Sequence, residues 1–262
     1  MNRALLIALT VATVVHAKSM KELTTTGTPE EKGLAIAQEL AARNAGYRDL
    51  GGQVDMVLSD ASGSEARRSF SLKVLEKASG TDGDKSLIVF DAPADVKGTA
   101  VLSHASPEGE DEQWLFLPSA HRTKRISAAN RTGAFAGSEF SFEDLTGNDA
   151  RKYGWKYVAS EGNIVTVEAT PKDAASAYSK RLLHIDATEM RISSIDFFDR
   201  RGEKLKTLTY SDYKQLNEKF WRSHTWSMKN LQTSKATTIR FTTMKLGTGL
   251  SVADFAPGKL GN

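Results

Sequence analysis

Two hydrophobic periods divide the chain. Near its start Leu34, Ala37, Leu40 and Ala41 recur at helical spacing and make one apolar stripe. Just ahead, Thr28-Pro29-Glu30-Glu31 supplies an N-cap, a proline at the first helical position and a glutamate three residues after the cap. A helix is therefore expected from there to about Asn44-Ala45-Gly46. From Gly51 onward the period falls to two. Residues 53–58 place Val54, Met56 and Leu58 on one face, and residues 69–75 do the same with Phe70, Leu72 and Val74. Further alternating or short apolar runs lie at 85–90, 99–103, 114–117, 122–127, 140–142, 155–158, 163–169, 179–185, 191–198, 203–210, 220–228 and 236–245. Glycine-containing turns separate several of them, Asp199-Arg200-Arg201-Gly202 among these. The pattern predicts a mainly β (α+β) chain of about eleven antiparallel strands with one N-terminal helix. No repeat or low-complexity linker interrupts it, so a single domain is expected after the leader described below.

The densest chemistry lies between Glu112 and Leu145. A strand, Trp114-Leu115-Phe116-Leu117, is stopped by Pro118. The chain then returns with Arg122, Lys124 and Arg125 on both faces around Ile126, and Arg131 follows. These four cations fit a solvated strand edge that resists aggregation, or a ridge that docks on anionic headgroups or an acidic partner. Phe135, Phe140 and Phe142 sit on a connector whose Gly133 and Gly137 permit unusual backbone angles. They fit plain core, or the lining or gate of a cavity.

This stretch carries a resemblance. W-L-F-L-P, then R-x-K-R-I-S, then N-R-x-G-x-F-x-G-S-x-F-S-F-E-D-L is similar to the LolA-like family of outer-membrane lipoprotein-sorting proteins, in the branch associated with large lipid-exporting transporters. The match is dense over residues 93–145 and diffuse over 30–255. The resemblance implies a half-open antiparallel β-barrel, its mouth covered by the N-terminal helix and short helices, around an apolar cavity for acyl chains. It implies Trp114, Phe116, Phe135, Phe140 and Phe142 as cavity-lining candidates. It also implies an inner-membrane exporter or an outer-membrane acceptor as partner. The strand pattern agrees, because an antiparallel barrel lined by Phe, Leu, Met and Trp excludes water and accepts hydrocarbon.

The first 17 residues change the picture of where this happens. Asn2-Arg3 makes a short positive segment, an apolar run follows from Ala4 to Val15, and Val15-His16-Ala17 has the look of a signal-peptidase site. Residues 1–17 are expected to be a cleaved leader, leaving a single lipid-binding domain at 18–262 in the periplasm. The chain has no cysteine, which removes disulfides, thiol catalysis, zinc-thiolate sites and a lipid-attachment residue together. Charge is nearly balanced at +3, or +2 once Arg3 leaves with the leader, and this argues against nucleic acid as a partner.

Catalytic signatures are missing. No nucleophile elbow, H-E-x-x-H helix, phosphate loop or dinucleotide fingerprint is intact, and no histidines stand at metal-ligand spacing. Glu143-Asp144 is the one carboxylate pair near the aromatic cluster, and it makes a hydrolase the enzyme alternative. The expected function is a monomeric, non-enzymatic carrier of lipid or lipoprotein acyl chains without cofactor or metal. The alternatives are an accessory lipid-handling subunit of an RND/MMPL-type exporter, an outer-membrane barrel, and the hydrolase.

Overall fold

The computed structural model describes residues 17–76, 83–107, 109–146 and 149–261, so the leader expected over 1–17 lies outside it apart from Ala17. Two antiparallel meanders make one sheet. The first holds β1 (Asp49–Ser59), β2 (Glu65–Leu75), β3 (Lys85–Ala92), β4 (Ala100–His104), β5 (Glu112–Leu117) and β6 (Arg122–Ile126). The second holds β7 (Tyr153–Glu161), β8 (Ile164–Pro171), β9 (Tyr178–Asp186) and β10 (Arg191–Asp199). It continues through β11 (Lys204–Leu216), β12 (Phe220–Asn230) and β13 (Ala236–Leu246). The spatial order is β6-β5-β4-β3-β2-β1-β13-β12-β11-β10-β9-β8-β7. β1 and β13 are therefore partners at the centre, aligned from Leu50↔Leu246 to Ser59↔Ala236 with one shift at Gln53/Val54.

Among the described residues thirteen strands form where about eleven are expected. The run at 140–142 is not one of them: Ser141 makes an isolated bridge to Ala134, and Phe142–Leu145 is a 3-10 turn. The cause is local, since the Asp144 carboxylate takes both the backbone N–H and the hydroxyl of Ser141 and so ends extended pairing. The sheet is not closed. Its edges are β6 and β7, which are consecutive in sequence, and the connector between them runs through the lumen.

The expected helix is α2 (Pro29–Asn44), with a reciprocal capping box between Thr28 and Glu31. A shorter helix, α1 (Met20–Thr25), precedes it and is capped in the same way by Ser19 and Glu22. Of the expected α2 stripe, Ala37 and Leu40 are buried, but Leu34 and Ala41 are exposed and Gly33 and Ile36 take their place. The reason is Gly33. A Cβ there would lie 2.6 Å from the backbone nitrogen of Lys156, so α2 rests backbone to backbone on β7 and turns Leu34 outward.

The inner face of the sheet carries the core, from Met56, Phe70 and Phe90 across to Ile185, Phe197 and Met228. A second apolar layer lies on the outer face of β3–β5. There Leu102, Phe116 and Phe255 are buried, the His104 imidazole meets the Phe255 carbonyl at 2.8 Å, and the His104 and Trp114 rings stand 4.9 Å apart. The C-terminal tail after β13 covers this layer, ending with Gly261 against the Phe116 ring. The N-terminal helix α2 thus packs on the second meander, and the C-terminal tail packs on the first.

Candidate functional site

An apolar cavity of about 250 Å³ lies inside the sheet, lined by Phe70, Ile88, Ile195, Phe197, Leu208, Trp226 and Phe241 and by Phe135 and Phe140 of the connector. A larger groove of about 1070 Å³ adjoins it at the mouth, between α2 and the strand ends. Leu34, Gln38 and Ala41 line the groove from the helix, and Tyr47, Trp155 and Arg222 from the other side. Val74, Asp84 and Ala105 belong to both walls. The outward turn of Leu34 and Ala41 thus gives the groove its apolar side.

The connector enters the cavity through a tight loop. Phe135 N–H donates to the Phe140 carbonyl at 2.7 Å, and the Ser138 hydroxyl donates to the Phe135 carbonyl at 2.6 Å. Closing so small a loop puts Ala136 at φ 49° and Gly137 at φ 72°. Glycine adopts that region freely and alanine does so at a cost of about 1–3 kcal/mol, so Ala136 is a strained position. The loop presents Phe135 to Phe90 at 5.5 Å and to Phe70 at 6.5 Å, with Phe142 behind it at 5.9 Å. The protein's own rings fill part of the lumen and line the cavity that is left.

Charges hold the connector down. The Lys206 ammonium reaches an Asp144 carboxylate oxygen at 2.7 Å and the Glu139 carbonyl at 2.8 Å, and both side chains are 5% exposed. Tyr178 donates to the same carboxylate at 2.9 Å. Burial by itself would raise the Asp144 pKa, but the Lys206 and Arg181 charges and the bonds from Lys206 and Ser141 outweigh it and hold it below the usual range. Burial, and then the Asp144 charge, push the Tyr178 phenol well up, so it stays protonated and a donor. Next to it Glu143 accepts from the Ser176 hydroxyl at 2.5 Å and the Ala177 N–H at 2.9 Å, with the Arg181 guanidinium 3.5 Å away. That guanidinium lies about 5 Å from the rings of Tyr153, Tyr178 and Phe197. The Glu143-Asp144 pair is engaged on every side and anchors the connector to β9–β11.

The predicted site residues divide between four places. Phe135 and Phe140 line the cavity and Phe142 packs behind Phe135. Trp114 and Phe116 do not reach the cavity: cross-strand partners share a face, so Trp114 goes with Leu102 and Phe116 with Ala100 on the outer side, while Leu115 and Val101 face inward. Arg122, Lys124 and Arg125 are exposed on β6, and Arg125 pairs with Glu112 at 2.6 Å. Arg131 leaves that ridge. It is 7% exposed and donates to Asp173 at 3.0 Å, because the connector turns inward immediately after β6. Sequence reasoning missed Arg181 and Lys206. Their signal was parity, since Arg181 falls on the inward face with Leu183 and Ile185, and Lys206 with Leu208.

A family model described as "Uncharacterized protein" matches residues 82–262. A domain from Vibrio parahaemolyticus described as an outer-membrane lipoprotein-sorting protein superposes with TM-score 0.85 at 42% identity, over 88% of this chain and 99% of that one. A DUF1329 family protein from Desulfovibrio piger gives 0.82 at 25% identity, over 89% and 100%. A LolA superfamily protein from Nitrosomonas europaea gives 0.69 at 19%, over 88% and 98%, and shares the fold. No curated protein matches the chain.

Proposed function

The chain belongs to the family of outer-membrane lipoprotein-sorting proteins and has a LolA-like fold, and from that premise we propose that it is a periplasmic carrier shielding lipid or lipoprotein acyl chains between membranes. The observation that carries this reading is the apolar inner cavity adjoining an open groove. Each methylene moved from water into such a lining contributes about 0.8 kcal/mol, so a long chain is held without any catalytic group. Phe135 and Phe140 already fill part of the lumen. An incoming chain exchanges one apolar contact for another there, and the connector gives way to admit it. The open sheet supports a water-borne role, since an unpaired edge is not tolerated in hydrocarbon. A leader cleaved after Ala17 would place the protein in the periplasm. The exposed cations of β6 are the proposed docking surface toward an exporter or an acceptor.

A fluorescent fatty-acyl probe tests the reading. We expect the wild type to bind it and phospholipid to displace it. Phe140→Asp puts a carboxylate into the lining, which costs several kcal/mol or draws in water, and weakens binding. Trp114→Leu, on the outer face, leaves binding unchanged. Circular dichroism of both variants controls for folding. A wild-type protein that binds no probe and carries no lipid when isolated from cells removes the carrier reading.

A further inference from the structure

The sheet has two ends, and the fold treats them differently. At one, α2 lies against β7, so close that Gly33 has no room for a side chain. At the other, β6 pairs only with β5. Residues Arg122 to Arg125 are all exposed, and among the described residues no backbone group bonds to the outward side of the strand. An unpaired edge is a template for one more strand. Its side chains say which strand. Arg122 and Lys124 stand on one face and Arg125 on the other, and the neighbouring carboxylate on β5, Glu112, is half-exposed on the face of Arg125 and pairs with it alone. Two copies of this edge would set like charges opposite one another, which is destabilising, so the strand repels its own kind.

We propose that β6 is a strand-addition site for an extended acidic segment of a partner protein. Backbone hydrogen bonds along β6 supply affinity, and directly opposed charge pairs supply register. In antiparallel pairing the residues opposite Arg125, Lys124, Thr123 and Arg122 follow one another along the partner. The segment therefore reads acid-acid-x-acid, and its third position faces Thr123. A membrane surface offers the charge but not the row of amides, and for that reason the proposal commits to a polypeptide. The position gives the contact a consequence. Ile126, the last residue of β6, is nine residues before Phe135, so a strand added here sits on the chain that enters the cavity. This inference stands on the edge itself and does not require the carrier reading.

The test uses the full mature chain and a library of synthetic ten-residue peptides bearing the acid-acid-x-acid pattern. The controls are the same peptides N-methylated at alternate backbone positions. We expect members of the library to bind by fluorescence anisotropy and to slow hydrogen exchange of amides in residues 122–126. Arg122→Gln with Lys124→Gln changes only exposed side chains and should weaken binding about five-fold or more, in line with two exposed charge pairs. The N-methylated peptides should lose at least ten-fold, although their charge is unaltered. Equal binding by N-methylated peptides overturns the proposal, because charge alone would then be the recognised feature. Failure of every library member overturns it too, as does peptide binding that leaves exchange in β6 unchanged. Anionic phospholipid vesicles that bind the wild type and not the double variant, with no peptide bound, would assign the ridge to headgroups instead. An acyl probe that still binds in any of these cases separates failure of this inference from failure of the carrier reading.

Discussion

The contact between Lys206 and Asp144 is the most deeply buried ion pair that holds the connector to the sheet. Both groups are buried, so removing one strands the other as an unpaired charge. Lys206→Met should therefore destabilise the protein by about 3–5 kcal/mol, read from chemical denaturation. Lys206→Met together with Asp144→Leu should recover only part of that loss, because the charge is balanced but Ser141, Tyr178 and the Glu139 carbonyl lose the partners that the pair supplied. The same carboxylate sets an acid limit. Its pKa in the folded state is below the unfolded value of about 3.9, so its contribution is complete above that value and is lost as pH falls through the folded one. Protection factors of amides 134–144, taken relative to the intrinsic exchange rate at each pH, should accordingly fall below about pH 4 and stay constant between pH 5 and 8. Little of this was legible in advance. Glu143-Asp144 was visible as a pair, but apart from Ser141 its partners lie more than thirty residues away, on β9, just before it, and on β11, and only folding brings them together.

Elements were read better than their faces. The capping box at Thr28 and the period-two runs located α2 and the strands because both signals are local. Which side of an element turns inward is not local when both sides are apolar. In β5 Trp114 and Leu115 are equally hydrophobic, and the choice between them is made by the C-terminal tail, which covers the outer face from more than a hundred residues away. In α2 the decision belongs to Gly33. Gly33→Ala inserts a methyl group where backbone already stands at 2.6 Å, and it should lower stability by about 1–3 kcal/mol by levering α2 off β7. Leu34→Ala, facing the groove, should cost less than 1 kcal/mol and weaken probe binding instead. For β6 the element-level expectation concerns rate. Arg122→Gln with Arg125→Gln should fold and bind acyl probe normally yet deliver lipid to acceptor membranes more slowly, and the defect should shrink at high salt. An unchanged rate at low salt would exclude docking of these arginines on the acceptor membrane and leave the strand edge to the peptide-binding test alone.

At the scale of the whole molecule the two meanders are joined along β1 and β13 and bound again at their far ends. The helix that precedes β1 lies on β7, in the second meander, and the tail that follows β13 lies on β3–β5, in the first. Each half therefore carries the segment that covers the other. A half released on its own would expose the apolar layer its partner's segment had covered, so partial unfolding gains little entropy for a large loss of burial. The halves should melt as one cooperative unit, with calorimetric and van't Hoff enthalpies equal and with tryptophans in both halves reporting one transition. The connector is outside this mutual strapping, being held by separate polar contacts of Arg131, Glu139, Glu143 and Asp144 and not by a covering segment. The molecule is thus built with two stabilities, one global and shared by the sheet, and one local to the segment that occupies the cavity.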